Sequence, residues 1–176
     1  MAGTTNAGVA NYISNPVASF PKNSITIDIF GNTFYRDYSF GAGDDTGVYW
    51  NTEKEYSSAT MKFFAIAMSK AVYGKFDYGK KLRSSQSLDF KMQLPTKNGK
   101  IDFEFMEKYM KNLSKGIIYN KKIIKPKPLR LNKEEFYEFK ITDLFNIRGS
   151  KKSFTKHQVK KGKYLYITTS NKNNGV

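Results

Sequence analysis

The chain closes with YLYITTSNKNNGV at residues 164–176, an alternating run that enters an Asn-rich loop. Such a pattern is typical of a β-strand that runs into a polar connection. A shorter version of the loop, TTNAGV, occurs at residues 4–9, where the preceding strand is missing. We therefore expect the sequence to begin and end within the same repeated loop. The back part of one structural module would then be followed by the front part of a similar one. Chance similarity between common loop residues is the alternative.

The composition indicates a folded protein that contains β-strands. Of the 176 residues, 39% are hydrophobic, and the aromatic set includes 14 Phe and 12 Tyr. This content excludes a disordered chain and suits one domain, with room for a small appendage. The chain has no cysteine and one histidine, which argues against disulfides, zinc sites and Ser-His-Asp catalysis. No apolar run reaches membrane-spanning length and no signal peptide is evident, so we expect a cytoplasmic protein without cofactor or metal.

Positive charge is concentrated in the last third of the chain. The net charge is +15, from 30 Lys and Arg against 15 Asp and Glu. Residues 1–113 hold 14 basic and 11 acidic side chains, whereas residues 114–176 hold 16 basic and 4 acidic ones. Such asymmetry indicates a polyanionic partner, most often nucleic acid. A basic surface kept for solubility is the alternative.

The periodicity predicts a mixed, strand-rich α+β fold. Residues 1–15 are expected to form a polar loop. An amphipathic helix is predicted near 58–73, with Ser57 and Ser58 as N-cap candidates, and a spacer-type helix near 102–113, capped by Asp102. Strands are predicted at 24–30, 33–40, 48–50, 90–94, 138–141 and 164–167. The chain then divides into residues 1–113, a basic Pro-containing linker at 114–135, and residues 136–176.

Two motifs with catalytic or ligand-binding precedents are better explained as ordinary structure. The glycine-rich stretch at 40–47 lacks the helix that must follow a nucleotide-binding loop, so it is interpreted as a connection. The acidic pairs Asp44 with Asp45, and Glu53 with Glu55, lack further ligands at metal-binding spacing and are interpreted as solvated surface. No catalytic residue is therefore predicted.

Three loop segments mix cations with hydroxyl and amide side chains. Lys, Arg, Ser and Thr bond phosphate oxygens, and Asn pairs with adenine edges, so these segments indicate DNA binding. The candidate DNA-binding residues are Tyr78, Lys80, Lys81, Arg83 and Ser84 in the first segment, Lys151, Lys152, Lys156 and His157 in the second, and Thr168, Thr169, Ser170, Asn171, Asn173 and Asn174 in the third.

Several segments share a family pattern when residues 136–176 are placed before residues 1–113. They are FKITDLFNIRG at 139–149, the strand and Asn-Asn-Gly loop at 164–176, residues 25–38 followed by Asp44 and Asp45, FDYGKKL at 76–82, Leu94-Pro95, and DFEFMEKYM at 102–110. In this cyclic order the chain resembles a target recognition domain of the specificity subunits of type I restriction-modification systems. The resemblance spans nearly the whole chain.

The resemblance implies sequence-specific binding of double-stranded DNA, with one half of a bipartite site read and no catalysis. A methyltransferase subunit, and in some assemblies a restriction subunit, would then be partners. The alternatives are the specificity region of a fused endonuclease-methyltransferase, and a decoy that occupies the modification subunit. The cyclic order also predicts that strand 164–167 pairs with the 1–50 region, within one chain or in a domain-swapped homodimer.

Overall fold

The computed structural model describes residues 4–16, 18–118, 135–149, 154, 157, 158 and 162–167. Within them the chain forms eleven strands and two α-helices, a mixed and strand-rich fold of the predicted class. In chain order they are β1 (Val9–Ile13), β2 (Ser19–Phe20), β3 (Ser24–Asp28), β4 (Thr33–Arg36), β5 (Phe40–Ala42), β6 (Thr46–Trp50), α1 (Ser58–Val72), β7 (Lys91–Lys97), β8 (Lys100–Ile101), α2 (Phe103–Ile118), β9 (Phe136–Lys140), β10 (Asn146–Gly149) and β11 (Tyr164–Ile167). Neither helix has an apolar stretch long enough to cross a lipid bilayer.

Both helices begin at predicted caps. The Ser57 hydroxyl accepts a hydrogen bond from the Thr60 amide at 3.2 Å, and the Asp102 carboxylate accepts one from the Phe105 amide at 2.9 Å. Each bond satisfies an amide that has no partner within the first turn of its helix. Helix α1 matches its predicted span, whereas α2 continues to Ile118, past the predicted end at 113 and into the stretch expected to be linker.

Every sheet in the described part of the chain contains one strand from residues 136–167. The first sheet has the order β1-β11-β5-β2, the central sheet β10-β6-β3-β4, and the third sheet β8-β7-β9. Strand β11 pairs antiparallel with β1 and parallel with β5. The predicted pairing of 164–167 with the 1–50 region is therefore confirmed, and it occurs within one chain.

The central sheet is covered on both faces. Ile25, Ile27 and Tyr49 lie in the larger core, which includes α1, whereas Val48 lies in a second core with residues of the first sheet. Successive side chains of a strand point to opposite faces, so one strand can supply both cores. All five residues of β3 are buried, including its polar positions, because the first sheet covers the face that alternation alone would assign to solvent.

The polar face of the central sheet contains a buried arginine. Arg36 is 1% exposed, and burial lowers its pKa. Its Nε donates to the Thr26 hydroxyl at 3.0 Å, its terminal nitrogen donates to the Tyr38 hydroxyl at 3.2 Å, and its guanidinium carbon lies 5.0 Å from the centroid of the Phe34 ring. Hydroxyl partners and an aromatic face thus offset part of the desolvation cost of this cation.

Three local predictions were wrong. Residues 9–13 form β1 and not a polar loop, because β11 supplies a pairing partner from the far end of the sequence. The strand predicted at 33–40 divides into β4 and β5, which belong to different sheets. Pro95 does not end β7: its carbonyl accepts from the Asp102 amide, and the Thr96 hydroxyl donates to the Glu135 carbonyl, so the strand stays bonded without the missing proline amide.

Candidate nucleic-acid interface

The turn between β5 and β6 joins the first sheet to the central sheet. The Gly43 amide donates to the carbonyl of Ile167, the last residue of β11, at 2.7 Å. Gly47 pairs with Gly149, the last residue of β10. The final residues of β10 and β11 are therefore held beside the same turn. We call this end of the two sheets the loop end.

The segment after α1 is attached to the loop end. Gly74, with φ of +68°, follows the end of α1 in a left-handed conformation that favours glycine. The Leu82 amide donates to the Ile29 carbonyl at 2.8 Å, and the Ile29 amide donates to the Asp45 carbonyl at 3.1 Å. Two successive backbone bonds thus fix the first basic segment next to the 43–47 turn.

The N-terminal copy of the duplicated loop also enters the loop end. Val9 pairs with Ile167, so residues 4–8 lead into β1 where β11 finishes. Asn6 and Ala7 have φ of +48° and +51°, a strained conformation for residues other than glycine. Asn6 is exposed, and its side-chain amide makes a long bond of 3.5 Å to the Val9 carbonyl.

The first basic segment is shaped by a short carboxylate-capped turn. The Asp77 carboxylate accepts from the amides of Gly79 and Lys80, both at 2.8 Å. Tyr78 at this turn is 84% exposed, and the Lys81 ammonium lies 4.7 Å from the centroid of its ring. The segment therefore presents an aromatic face and a cation together, a combination suited to sugar, base and phosphate contacts.

The structure describes part of the predicted DNA-binding set. Tyr78, Lys80 and Arg83 are exposed, Lys81 is partly exposed, and Ser84 begins a 3₁₀ turn at Ser84–Asp89. His157 is exposed in a turn. The remaining predicted residues lie outside the described part of the chain: Lys151, Lys152, Lys156, Thr168, Thr169, Ser170, Asn171, Asn173 and Asn174.

The loop end also contains a cavity of about 310 Å³ that the sequence did not predict. Its wall includes Tyr49, which is fully buried, and burial raises the pKa of this phenol to about 12. Asp44 and Asp45 lie at the same cavity; Asp44 is exposed and Asp45 is half-buried. Residues 44–47, which were interpreted from the sequence as a connection and a surface acidic pair, thus line a cavity. Residues 82–85 form its other side, and their position depends on the tertiary structure.

A buried acid, Asp28, stabilises the turn next to this cavity. The Asp28 carboxylate accepts from the amides of Phe30 and Asn32, both at 2.9 Å, and from the Asn32 side chain at 2.8 Å. Burial raises the pKa of Asp28, the three hydrogen bonds lower it in part, and the Asp45 charge raises it further. These hydrogen bonds hold the turn at residues 28–32, in which the Ile29 carbonyl accepts from the Leu82 amide.

The opposite end of the central sheet is closed by aromatic packing. The ring centroids of Phe64 and Phe145 lie 4.9 Å apart in an edge-on arrangement, and Tyr56 stacks on Phe103 at 5.6 Å. The Lys54 ammonium lies 4.2 Å from the Phe103 ring centroid. The two ends of one sheet thus differ. The aromatic end consists of packed rings, whereas at the loop end β10 and β11 finish beside the segment after α1 and residues 4–8.

The described residues contain no group of three or more His, Cys, Asp or Glu placed to hold a metal ion. Comparisons with protein-family models, with curated proteins and with solved structures found no match.

Proposed function

We propose that this protein binds double-stranded DNA sequence-specifically, as the specificity component of a type I restriction-modification system, and reads one half of a bipartite site. In this proposal the chain catalyses no reaction. A methyltransferase subunit is its partner, and methylation and cleavage belong to partner subunits.

The observation that carries the proposal is that the described residues which anchor three basic or Asn-rich segments meet at the loop end. The three segments singled out for their cations and amides are far apart in sequence, near residues 80, 152 and 171. The residues that precede or anchor them, Leu82, Gly149 and Ile167, are all tied by backbone bonds to the strands and turn at 29–47. A surface built from several chain segments on a rigid sheet is how binding loops are commonly presented.

The cyclic order of the family motifs is supported by the topology. The resemblance places residues 136–176 before residues 1–113, and each of the three sheets joins a strand from 136–167 to strands from 9–101. A chain whose second piece formed its own compact unit would argue against this order. The interleaved sheets argue for one recognition unit assembled from both pieces.

Positive charge favours a nucleic acid or another polyanion as the partner. Cations at the loop end would neutralise phosphates and release counterions, which makes affinity fall steeply with salt. Side chains such as Asn171, Asn173 and Asn174 would supply base contacts, because an amide can bond two atoms of an adenine edge. Phosphate contacts would position the chain, and base contacts would give it specificity.

A selection of binding sites from random duplex DNA tests the proposal. The purified protein is incubated with the library at moderate salt, with and without a type I methyltransferase subunit, and the bound duplexes are sequenced. We expect a short preferred sequence that corresponds to one half-site, and affinity that falls steeply with salt. Binding without sequence preference in both arms would remove the specificity claim.

A charge-matched pair of variants separates specific surface from bulk charge. Lys80, Lys81 and Arg83 are changed to Ala in one variant, and the exposed Lys97, Lys100 and Lys108 are changed to Ala in the other. Both lose three charges. We expect the first to lower DNA affinity and flatten its salt dependence, and the second to retain both. Equal losses would show that only net charge attracts DNA.

A further inference from the structure

The loop after α1 begins and ends on the same turn, the one that follows β3. Val72, the last residue of α1, packs so closely on Gly31 that a Cβ there would lie 3.2 Å from the Val72 Cγ2. At the other end of the loop, the Leu82 amide donates to the Ile29 carbonyl at 2.8 Å. Residues 73–81, which we call the tyrosine loop, therefore have both ends held together. This is the arrangement of an Ω-loop, a class that is frequently functional.

The tyrosine loop is also bonded internally. Its tip is closed by the Asp77 carboxylate, which accepts from the amides of Gly79 and Lys80, and by the Asp77 amide, which donates to the Lys80 carbonyl at 3.2 Å. On the inner side, the half-buried Phe76 ring lies 5.7 Å from the Phe90 ring and packs against the larger core. A loop ordered in this way loses little conformational freedom when it binds a partner.

The outer side of the tyrosine loop presents aromatic rings among cations. Tyr73 and Tyr78 are 86% and 84% exposed, the largest values for any large hydrophobic side chain in the described part of the chain. The Lys81 ammonium lies over the Tyr78 ring, 4.7 Å from its centroid, and so covers one face of it. The high exposure leaves the other face open to solvent. Lys75 and Lys80 are exposed on the same loop.

We infer that the tyrosine loop binds an unpaired base of DNA, with the open face of Tyr78 stacked on the base and with Lys75 and Lys80 at the flanking phosphates. Exposed aromatic rings among cations are the combination by which proteins hold unpaired nucleotides, because every base has a face on which a ring can stack. In a paired duplex that face is covered by the neighbouring bases. The inference rests on the proposed function in taking DNA as the partner, but it assigns recognition of unpaired bases and not of a duplex sequence.

Matched DNA probes isolate the contribution of the base. Three labelled duplexes share one sequence: the first is fully paired, the second carries a bulge of three thymidines, and the third carries a bulge of three abasic nucleotides. The two bulged duplexes have the same number of phosphates and differ only in the unpaired bases. An RNA duplex with a bulge of three uridines separates RNA from DNA as the source of the base. Fluorescence anisotropy at moderate salt measures the affinity of the full-length protein for each.

Three variants test the role of the ring. Tyr78→Ala removes it, Tyr78→Phe keeps it without the hydroxyl, and Tyr137→Ala removes a 58% exposed ring from β9 in the third sheet as the matched control. Urea denaturation of each variant verifies that the fold is retained. We expect the wild-type protein to bind the thymidine bulge roughly 5- to 150-fold more tightly than the abasic bulge, the range for one stacked base. Tyr78→Phe and Tyr137→Ala should keep this preference, and Tyr78→Ala should lose it.

The outcomes separate this inference from the proposed function. If the selection from random duplexes yields a preferred sequence, but both bulges bind equally or Tyr78→Ala keeps the preference, the proposed function stands and the unpaired-base site is overturned. If the thymidine bulge is preferred through Tyr78 but the selection yields no preferred sequence, the unpaired-base site stands and the proposed function fails. Tighter binding of the uridine bulge in RNA than of the thymidine bulge overturns DNA as the partner of the loop.

Discussion

The aromatic end and the loop end belong to the same sheet but are built by different physics. At the aromatic end, Tyr56, Phe64, Phe103 and Phe145 pack ring against ring. At the loop end, Gly43 lies in the turn between β5 and β6, β10 finishes at Gly149, and backbone bonds hold the neighbouring segments. Stability is therefore expected to reside at one end and binding at the other.

The largest expected effect is the loss of stability when an aromatic side chain at the aromatic end is truncated. Phe145 is 4% exposed and contacts Phe64, so Phe145→Ala should lower the free energy of unfolding by about 3–5 kcal/mol. Tyr78 lies at the loop end and is 84% exposed, so Tyr78→Ala should change the free energy of unfolding by less than about 0.5 kcal/mol. Urea denaturation measures both. Similar losses in the two variants would erase the division between the ends.

The charge-matched variants sharpen the comparison for binding. Changing Lys80, Lys81 and Arg83 to Ala should reduce the slope of log affinity against log salt by about 0.9 for each lost phosphate contact. If the affinities are equal at 1 M salt, the loss of three contacts corresponds to roughly 500-fold weaker binding to any duplex at 0.1 M salt. Fluorescence anisotropy over a salt series provides the measurement. If the variant keeps the wild-type slope of log affinity against log salt, these cations are only solvated surface.

Specificity should depend on the terminal loop more than on the basic segments. Changing Asn173 and Asn174 to Ala is expected to cost about 1–3 kcal/mol on the selected site and little on scrambled DNA. Competition between the two duplexes measures the difference. An equal loss on both, or none with normal folding, would make the duplicated loop an architectural connection.

Alkaline pH should weaken the loop end through Tyr49. Its pKa is raised to about 12 from an unfolded value of 10.0, so the phenol ionises first in the unfolded chain. Its stabilisation is complete below pH 10 and is lost as pH rises through 12. Relative to Tyr49→Phe, the wild-type protein should lose about 1.4 kcal/mol between pH 8 and pH 11. An unchanged difference across this range would place the hydroxyl in contact with solvent.

The smallest effect is expected from the N-terminal copy of the duplicated loop. Thr4 and Asn6 are exposed, and the sheet begins only at Val9, so deletion of residues 1–6 should leave the melting temperature nearly unchanged. Differential scanning calorimetry measures this. A drop of many degrees would mean that both copies of the loop are structurally engaged at the loop end.

Local chemistry was sufficient to predict the helices and several strands. Met61, Phe64 and Met68 recur at helical spacing after Ser57, and the helix begins and ends close to the predicted residues. Asp102 predicted the start of α2 by the same capping logic. The caps act through hydrogen bonds within three residues, so the sequence alone carries that information.

Only the tertiary structure decided which strands meet and what their meeting creates. Residues 9–13 appear as a loop until β11 pairs with them, more than 150 residues further along the chain. The cavity walled by Tyr49 exists because Leu82 bonds to Ile29 and Ile29 to Asp45, contacts that no local pattern encodes. The sequence by itself determined the two helices, several strands, the charge asymmetry and the resemblance to a cyclically ordered recognition domain. The loop end depends on long-range pairing, in which each strand is specified by its partner as well as by its own residues.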